Sequence, residues 1–520
     1  MILFKNHPSL RAHATRALML LAVMATPVQA SLFAEPYAVD PGFAGGSFTD
    51  DAFASVLTDP NKNFIGKKII RLNGDIVVAA LVKHPNNNQS NGYWNLGLVR
   101  YNASGTQRLT WTNPAASYGH YLDQYIVYPN NANATISEVV DMRTINQKIY
   151  VLVNDQFTAA GAATVSKVLV FGADGSFISS TIPFSATTST PGDTSNIGGG
   201  LATYTDIVAS KRYIVVAATR YLPANGGRGR PVFRRFELGA TGDLAASPGT
   251  VELNTSACWN PSWECQARAI EANSLYSPKF YVAFAYRLNT TTPNWNVVVS
   301  RIDVNGAGDP TWDPNNVSWN ISDGGDGRDW PMGLEVVTPP SSGVFRDDIY
   351  VVSESARSCQ SGVGVLRFNH DGDVVASRLF GGDTSTVPVC NGVSKRIDRP
   401  QAIVANASGN STLATRLAIV GYTTISYVAD ARANATLTIL DANLVTRDSR
   451  DYRFPLDETL SFGDRFPALY GAVSDGVGSF TATGRLTYSS SPIFPADLHG
   501  KSTVTVVRFA PDRIFGHGFE

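Results

Sequence analysis

One pattern recurs along the whole chain and restricts the folds open to it. In Ile349 to Gly372 it reads IYVVSESARSCQSGVGVLRFNHDG: an apolar strand, a polar turn, a second strand ending in Arg367-Phe368, then Asp371-Gly372. Alignment on the second strand gives seven copies: LVRYNASG, VLVFGADG, RRFELGATG, SRIDVNGAG, LRFNHDG, TILDANL and VVRFAPD. Their anchors Tyr101, Phe171, Phe236, Ile302, Phe368, Leu440 and Phe509 are 65 to 72 residues apart. Each copy is preceded by an apolar strand such as IVVAALV from Ile76. Before that lies a further apolar stretch: KKIIRL from Lys67, SEVVDM from Ser137, GLATYTDIV from Gly200, ARAIEA from Ala267, GLEVV from Gly333, QAIVA from Gln401 and ALYGAV from Ala468. The segment after each turn supplies a fourth strand, as DVVASRLF does from Asp373. The pattern predicts an all-β chain, a single seven-bladed β-propeller of four-stranded antiparallel blades.

An open array of such units would expose bare strand edges and would need polar capping repeats, which the sequence lacks. The ends complement each other instead. The chain stops shortly after the third strand of the seventh copy, and Asp40 to Gly46 (DPGFAGG) resembles the turn that normally follows such a strand. The N-terminal strand is therefore expected to complete the last blade and close the ring. Composition agrees, since 45 Gly, 28 Pro and a charged fraction of only 16% suit short strands and turns rather than long helices. Lys+Arg at 42 against Asp+Glu at 43 argues against a protein built as a whole to bind polyanions, so no nucleic-acid partner is expected.

Residues 1–30 read as a secretory signal peptide. Lys5, Arg11 and Arg16 precede the apolar run ALMLLAVMA, and Val28-Gln29-Ala30 offers a small-residue cleavage site. No later run approaches ~18 apolar residues, so no integral membrane segment is expected in the mature chain. The expected compartment is extracellular or cell-surface, with the periplasm as the alternative. In an oxidising compartment the sequence-local pairs Cys258 with Cys265 and Cys359 with Cys390 would close two loops as disulfides, the alternative being buried thiols. Residues 31–512 form the propeller, and residues 513–520 a C-terminal tail.

The order DPGFAGG, apolar strand, GDIVVAA, LGLVRYNASG resembles the delta-60 repeat of secreted bacterial proteins, best over residues 40–105 and again near 349–372. That resemblance implies a propeller-like fold and no established chemistry. The final Arg513 to Glu520 (RIFGHGFE) resembles the I-F-x-x-G-F-E tail of secreted proteins of some Gram-negative bacteria, which implies a sorting motif.

Catalytic signatures are absent: no G-x-S-x-G, H-E-x-x-H or P-loop occurs, and no cofactor or metal site is expected. The most suggestive pattern lies just before the first strand of successive repeats. Arg328-Asp329-Trp330, Asp398-Arg399 and Asp464-Arg465 take equivalent places in copies five to seven, with Glu264 in copy four and Glu138 in copy two. In a propeller these positions ring one mouth of the central channel. Structural bracing between blades, binding of a polar ligand, and hydrolysis by paired carboxylates are the three uses such a ring supports. The functional expectation is a secreted or surface-associated binding protein with a glycan or protein partner at the channel mouth. Its alternatives are a glycan-active hydrolase or lyase and a structural envelope component.

Overall fold

The second strand of a repeat is typically apolar on both faces, although Phe480–Thr487 of the last repeat carries Thr481, Thr483 and Arg485 on one of them. Asp75–Lys83 (DIVVAALVK) is buried from Asp75 to Val82, as befits a strand lying between two apolar layers. The computed structural model describes residues 37–40, 43, 63–83, 94–105, 125–128, 134–157, 163–184, 195–207, 209–221, 227–246, 251–252, 263–273, 279–287, 294–309, 311–312, 327–338, 347–357, 360–381, 395–406, 415–427, 430–452, 468–476, 478–487 and 502–511. Among them every regular element is a strand, and no helix is long and apolar enough to cross a membrane.

The strands form seven antiparallel units in chain order. Their first strands are Asn63–Leu72, Ala134–Ile145, Ser195–Asp206, Glu264–Ala272, Arg328–Val337, Lys395–Asn406 and Ala468–Ser474. Within each unit, strands pair in sequence order. Unit four has three strands among the described residues, Glu264–Ala272, Lys279–Arg287 and Asn296–Asp303. Units five and six touch through one parallel bridge, Ser361 to Ile397. In unit seven the strand Ser502–Pro511 pairs on its outer side with Tyr37–Val39, with Val39 opposite Phe509. The signal segment and the tail lie outside the described residues.

Each first strand packs against that of the next unit, and the first strand of unit one packs against that of unit seven. The apolar clusters follow the same order. Ile70, Val77 and Leu98 of unit one meet Ile136, Val151 and Leu169 of unit two, and equivalent clusters lie between each later pair. A last cluster joins Val504 and Val506 of unit seven to Phe64, Ile69, Val78 and Val99 of unit one, with Phe43. The core is thus a series of layers between units.

The repeat's arginine has a specific role in that packing. Arg100 binds Asp75 of its own unit (2.7 Å) and donates to the Ala173 carbonyl in the turn of unit two (3.1 Å). Arg301 reaches the His370 carbonyl (2.9 Å), Arg367 the Asn443 side chain (3.0 Å) and Arg508 the Ala103 carbonyl of unit one (2.6 Å). Each guanidinium therefore clasps one unit to the turn of another. The turn itself is held by an Asn or Asp side chain. Asn369 accepts from the Asp371 and Asp373 N–H groups, and Asp303 does the same for Asn305 and Ala307 in DVNGAGD.

Candidate functional site

All seven first strands carry a β-bulge. The register against the second strand slips between Gly66 and Lys68, Val139 and Asp141, Gly198 and Gly200, Ala267 and Ala269, Pro331 and Gly333, Pro400 and Ala402, and Leu469 and Gly471. The extra residues are Lys67, Val140, Gly199, Arg268, Met332, Gln401 and Tyr470. Together they line one central constriction, so the bulge turns one residue per unit toward the same space, a side chain in six units and bare backbone at Gly199. A small residue follows in most units, as in Gly200, Ala269, Gly333, Ala402 and Gly471. Its role is packing: a Cβ on Gly333 would lie 3.2 Å from the Ile403 nitrogen, and one on Gly471 2.9 Å from the Lys67 carbonyl. Neighbouring first strands can approach that closely only where this position is small.

The constriction is a neck between a mouth and a larger chamber. The mouth side adds Glu138 and Tyr470, while Lys68, Val140, Gly199, Arg268, Met332 and Gln401 border both spaces. The chamber is a cavity of about 520 Å³ lined by first-strand residues of all seven units. Three residues beyond the bulge stand Arg143, Glu271 and Glu335. The Arg143 guanidinium pairs with Glu271 of unit four and with Asp141 of its own strand (3.2 Å), and Asp141 also accepts from the Leu201 N–H (2.9 Å). Burial pushes the Glu271 carboxyl up to about 7, against the pull of Arg143. It pushes Glu335 up to about 8, with the neighbouring Glu271 charge acting in the same direction. Arg143 itself is held charged by Asp141 and Glu271, which outweigh its burial. Three carboxyls share one guanidinium, and a proton balances part of the remainder.

Two ladders of cations and aromatic rings run from the rim to the neck. The exposed Arg328 lies over Trp330 (4.5 Å), and Arg268 lies over the same indole (4.8 Å). Arg399 meets the Tyr422 hydroxyl (3.4 Å), Tyr422 packs on Tyr470 (5.8 Å between centroids), and Lys67 Nζ sits 4.0 Å above the Tyr470 ring. Burial lowers the Lys67 ammonium to about 8 and lowers Arg268 as well.

Of the residues singled out in the sequence, the structure brings Glu138, Arg328, Trp330 and Arg399 to this mouth. They lie inside the first strands rather than just before them, because the bulge interrupts the period-two pattern that marks where a strand starts. Strand alternation sends their neighbours elsewhere. Asp329 is fully buried, with its N–H bonded to the Trp295 carbonyl (2.7 Å), and Asp398 is buried with its carboxylate against Gly381. Glu264 is buried in an ion pair with Arg287 and accepts from Gln266 (2.9 Å). Asp464 and Arg465 lie outside the described residues. Cys265 is buried and disulfide-bonded, while Cys258, Cys359 and Cys390 fall outside the described residues. Sequence patterns alone do not disclose Lys67, Arg268, Gln401, Tyr470, Arg143, Glu271 and Glu335. A signal for four of the seven units exists in the run of variable residue, Gly or Ala, then Ile or Leu: Gly199-Gly200-Leu201, Arg268-Ala269-Ile270, Met332-Gly333-Leu334 and Gln401-Ala402-Ile403.

No protein-family model matches the chain, and no curated protein matches it. Among solved structures it is similar to the phage phi92 endosialidase at 7% identity, covering 90% of this chain and 70% of that one, with a TM-score of 0.39. It is similar to an α-L-arabinofuranosidase from Fusarium graminearum at 11% identity, covering 74% and 95%, TM-score 0.39. It is also similar to the first two extracellular domains of Drosophila Semaphorin 1a at 9% identity, covering 89% of each, TM-score 0.40. Likenesses of this size carry no argument about activity, and it is the chain's own sheets that make the architecture β-propeller-like.

Proposed function

We propose that this chain is an exported binding protein. Its seven units close into a seven-bladed β-propeller, and a polar ligand enters at the mouth and is held at the neck. Three features support the closure: the pairing of Tyr37–Val39 with Ser502–Pro511, the apolar cluster between units seven and one, and the reach of Arg508 to the Ala103 carbonyl. The observation that carries the binding role is the neck itself. Seven bulges bring six dissimilar side chains and the bare backbone of Gly199 to one constriction, beside a cavity whose volume of about 520 Å³ falls in the range of small-ligand sites. Aromatic rings beside hydrogen-bonding groups, as at Trp330, Tyr422, Tyr470 and Gln401, suit a glycan.

The test is a plug. Val140→Trp fills the neck without replacing a charged group, so a glycan array probed with the full chain should lose at least tenfold in signal while the melting midpoint stays within a few degrees. Equal binding by a folded plug variant would exclude the neck as the site.

One observation favours a second reading, a glycan-active hydrolase or lyase. Glu271 and Glu335 line a ligand-sized cavity with carboxyls raised to about 7 and about 8, the range a general acid needs near neutral pH. Prolonged incubation of any bound glycan, followed by reducing-end analysis, decides it. Absence of product from the wild-type protein ends this reading, and product that persists in both Glu271→Gln and Glu335→Gln does so equally.

A further inference from the structure

We propose that the neck is an oxyanion site, in which Lys67 and Arg268 grip one carboxylate or sulfate group of an acidic carbohydrate. The inference rests on the neck being the ligand site and names the class of ligand it takes.

Two cations at the neck lack an ion-pair partner among the described residues. Among the described residues neither Lys67 nor Arg268 makes a hydrogen bond or an ion pair; each rests only on an aromatic face, Tyr470 and Trp330 respectively. The Arg268 Nε–H is buried without an acceptor. A buried charge in that state is unfavourable unless something compensates it, and an unmet guanidinium donor adds to the cost. Elsewhere in the same channel the chain does supply partners, since Arg143 has Asp141 and Glu271. The neck differs in leaving its cations open to the lumen.

The surrounding charges point the same way. Lys67 feels Lys68 and Arg485, and Arg268 feels Arg328, all of them cationic. Among the described residues, the one carboxylate acting on either is Glu138, which is exposed on the mouth side and accepts from Asn154 at 3.3 Å. Arg328 and Arg399 stand exposed at the rim, Arg399 with Glu354 at 3.9 Å, so the positive charge that an incoming anion meets there comes chiefly from Arg328. An anionic group is drawn inward as far as the neck, where, among the described residues, Lys67 and Arg268 stand without an acceptor of their own. The forked guanidinium suits the planar oxygens of a carboxylate, and the ammonium of Lys67 supplies a second point of charge. The rings and Glu138 remain for the sugar's faces and hydroxyls.

Titration calorimetry on the full chain tests this with three probes: galacturonate oligomers, a sulfated oligosaccharide and the neutral galactose oligomers of equal length. The acidic probes should bind at least tenfold more tightly than the neutral ones at low salt, with an advantage that shrinks as salt rises. Lys67→Gln and Arg268→Gln should each remove most of that advantage, Arg268→Lys should restore part of it, and Glu138→Gln should enlarge it. A preference for sulfate over carboxylate, or the reverse, identifies the group. A second readout needs no sugar: with lysines reductively labelled by ¹³C-methyl, the Lys67 resonance should titrate near 8 and move upward on saturation with inorganic sulfate. Equal affinity for acidic and neutral probes overturns the proposal, as does a preference that survives both Gln variants or a Lys67 resonance indifferent to sulfate. In those cases loss of neutral binding in Val140→Trp still leaves the neck as the ligand site, so the two claims fail separately.

Discussion

Two glycines separate backbone strain from crowding. Gly74 adopts φ +84° with no atom within 4 Å of where a Cβ would lie, whereas Gly372 adopts φ +96° and a Cβ there would collide with the Trp312 carbonyl. Gly74→Ala should therefore cost about 1 kcal/mol, the left-handed penalty alone. Gly372→Ala should cost about 3 kcal/mol or more, because Trp312 must also move out of its place between two units. Urea denaturation of both variants checks the difference, and equal losses would refute it. The buried acids give a second prediction at this scale. The carboxyls of Glu271 and Glu335 are raised to about 7 and about 8 in the fold, against 4.5 for an ordinary glutamate, so between pH 4.5 and 8 the folded chain holds protons that the unfolded chain has released. Stability should then fall as pH rises across that window and level off above it. Glu335→Gln should flatten the slope and leave the variant about 2 kcal/mol more stable than wild type at pH 9, with little difference at pH 5.

At the scale of the element, the bulge explains both what the sequence discloses and what it conceals. The paired second and third strands of each repeat are legible because their apolar runs and Asx-Gly turns depend on local rules. The first strands are half-legible. Their apolar stretches begin at Lys67, Gly200, Gly333 and Gln401, at or beside the extra residue, because the residues before it point to the opposite faces from those the period predicts. For the same reason Asp329 and Asp398 read as mouth residues, although alternation buries them, while Arg328 and Arg399 beside them do face the mouth. The neck itself stays hidden because its seven positions share a backbone geometry and no residue type. Deleting Met332 should be far more damaging than Met332→Ala: Pro331 and Gly333 pair with the consecutive Ser353 and Val352, so removal of the extra residue straightens the bulge that seats Gly333 against Ile403, whereas truncation leaves the bulge intact. Circular dichroism melts should show a loss of at least 10 °C for the deletion and only a few degrees for the alanine.

At the scale of the whole molecule, the N-terminal segment does for unit seven what the chain does locally for unit four. Asp309 bonds Arg301 (3.1 Å), its N–H reaches the Arg301 carbonyl (2.9 Å), and Trp312 then covers Gly372. Asp40 meets Arg508 at 3.5 Å, its N–H reaches the Arg508 carbonyl at 2.8 Å, and Phe43 covers Gly105. Residues hundreds of positions apart in sequence thus rebuild one local motif. A chain beginning after Phe43 should expose the edge of Ser502–Pro511 and the apolar surface under Phe43, and should aggregate or melt in two steps, whereas one beginning at Tyr37 should melt in one. Size-exclusion chromatography and calorimetry of the two truncations distinguish these outcomes. The ring of bulges has one more consequence. Its extra residues occupy equivalent places on seven similar supports, and among them the scaffold fixes Gly199, where a Cβ would collide with the Ala267 carbonyl. Lys67, Val140, Arg268, Met332, Gln401 and Tyr470 therefore act as six independently writable letters. An ancestor or an engineer can readdress this molecule to a new ligand by rewriting those letters while every strand, turn and clasp stays as it is.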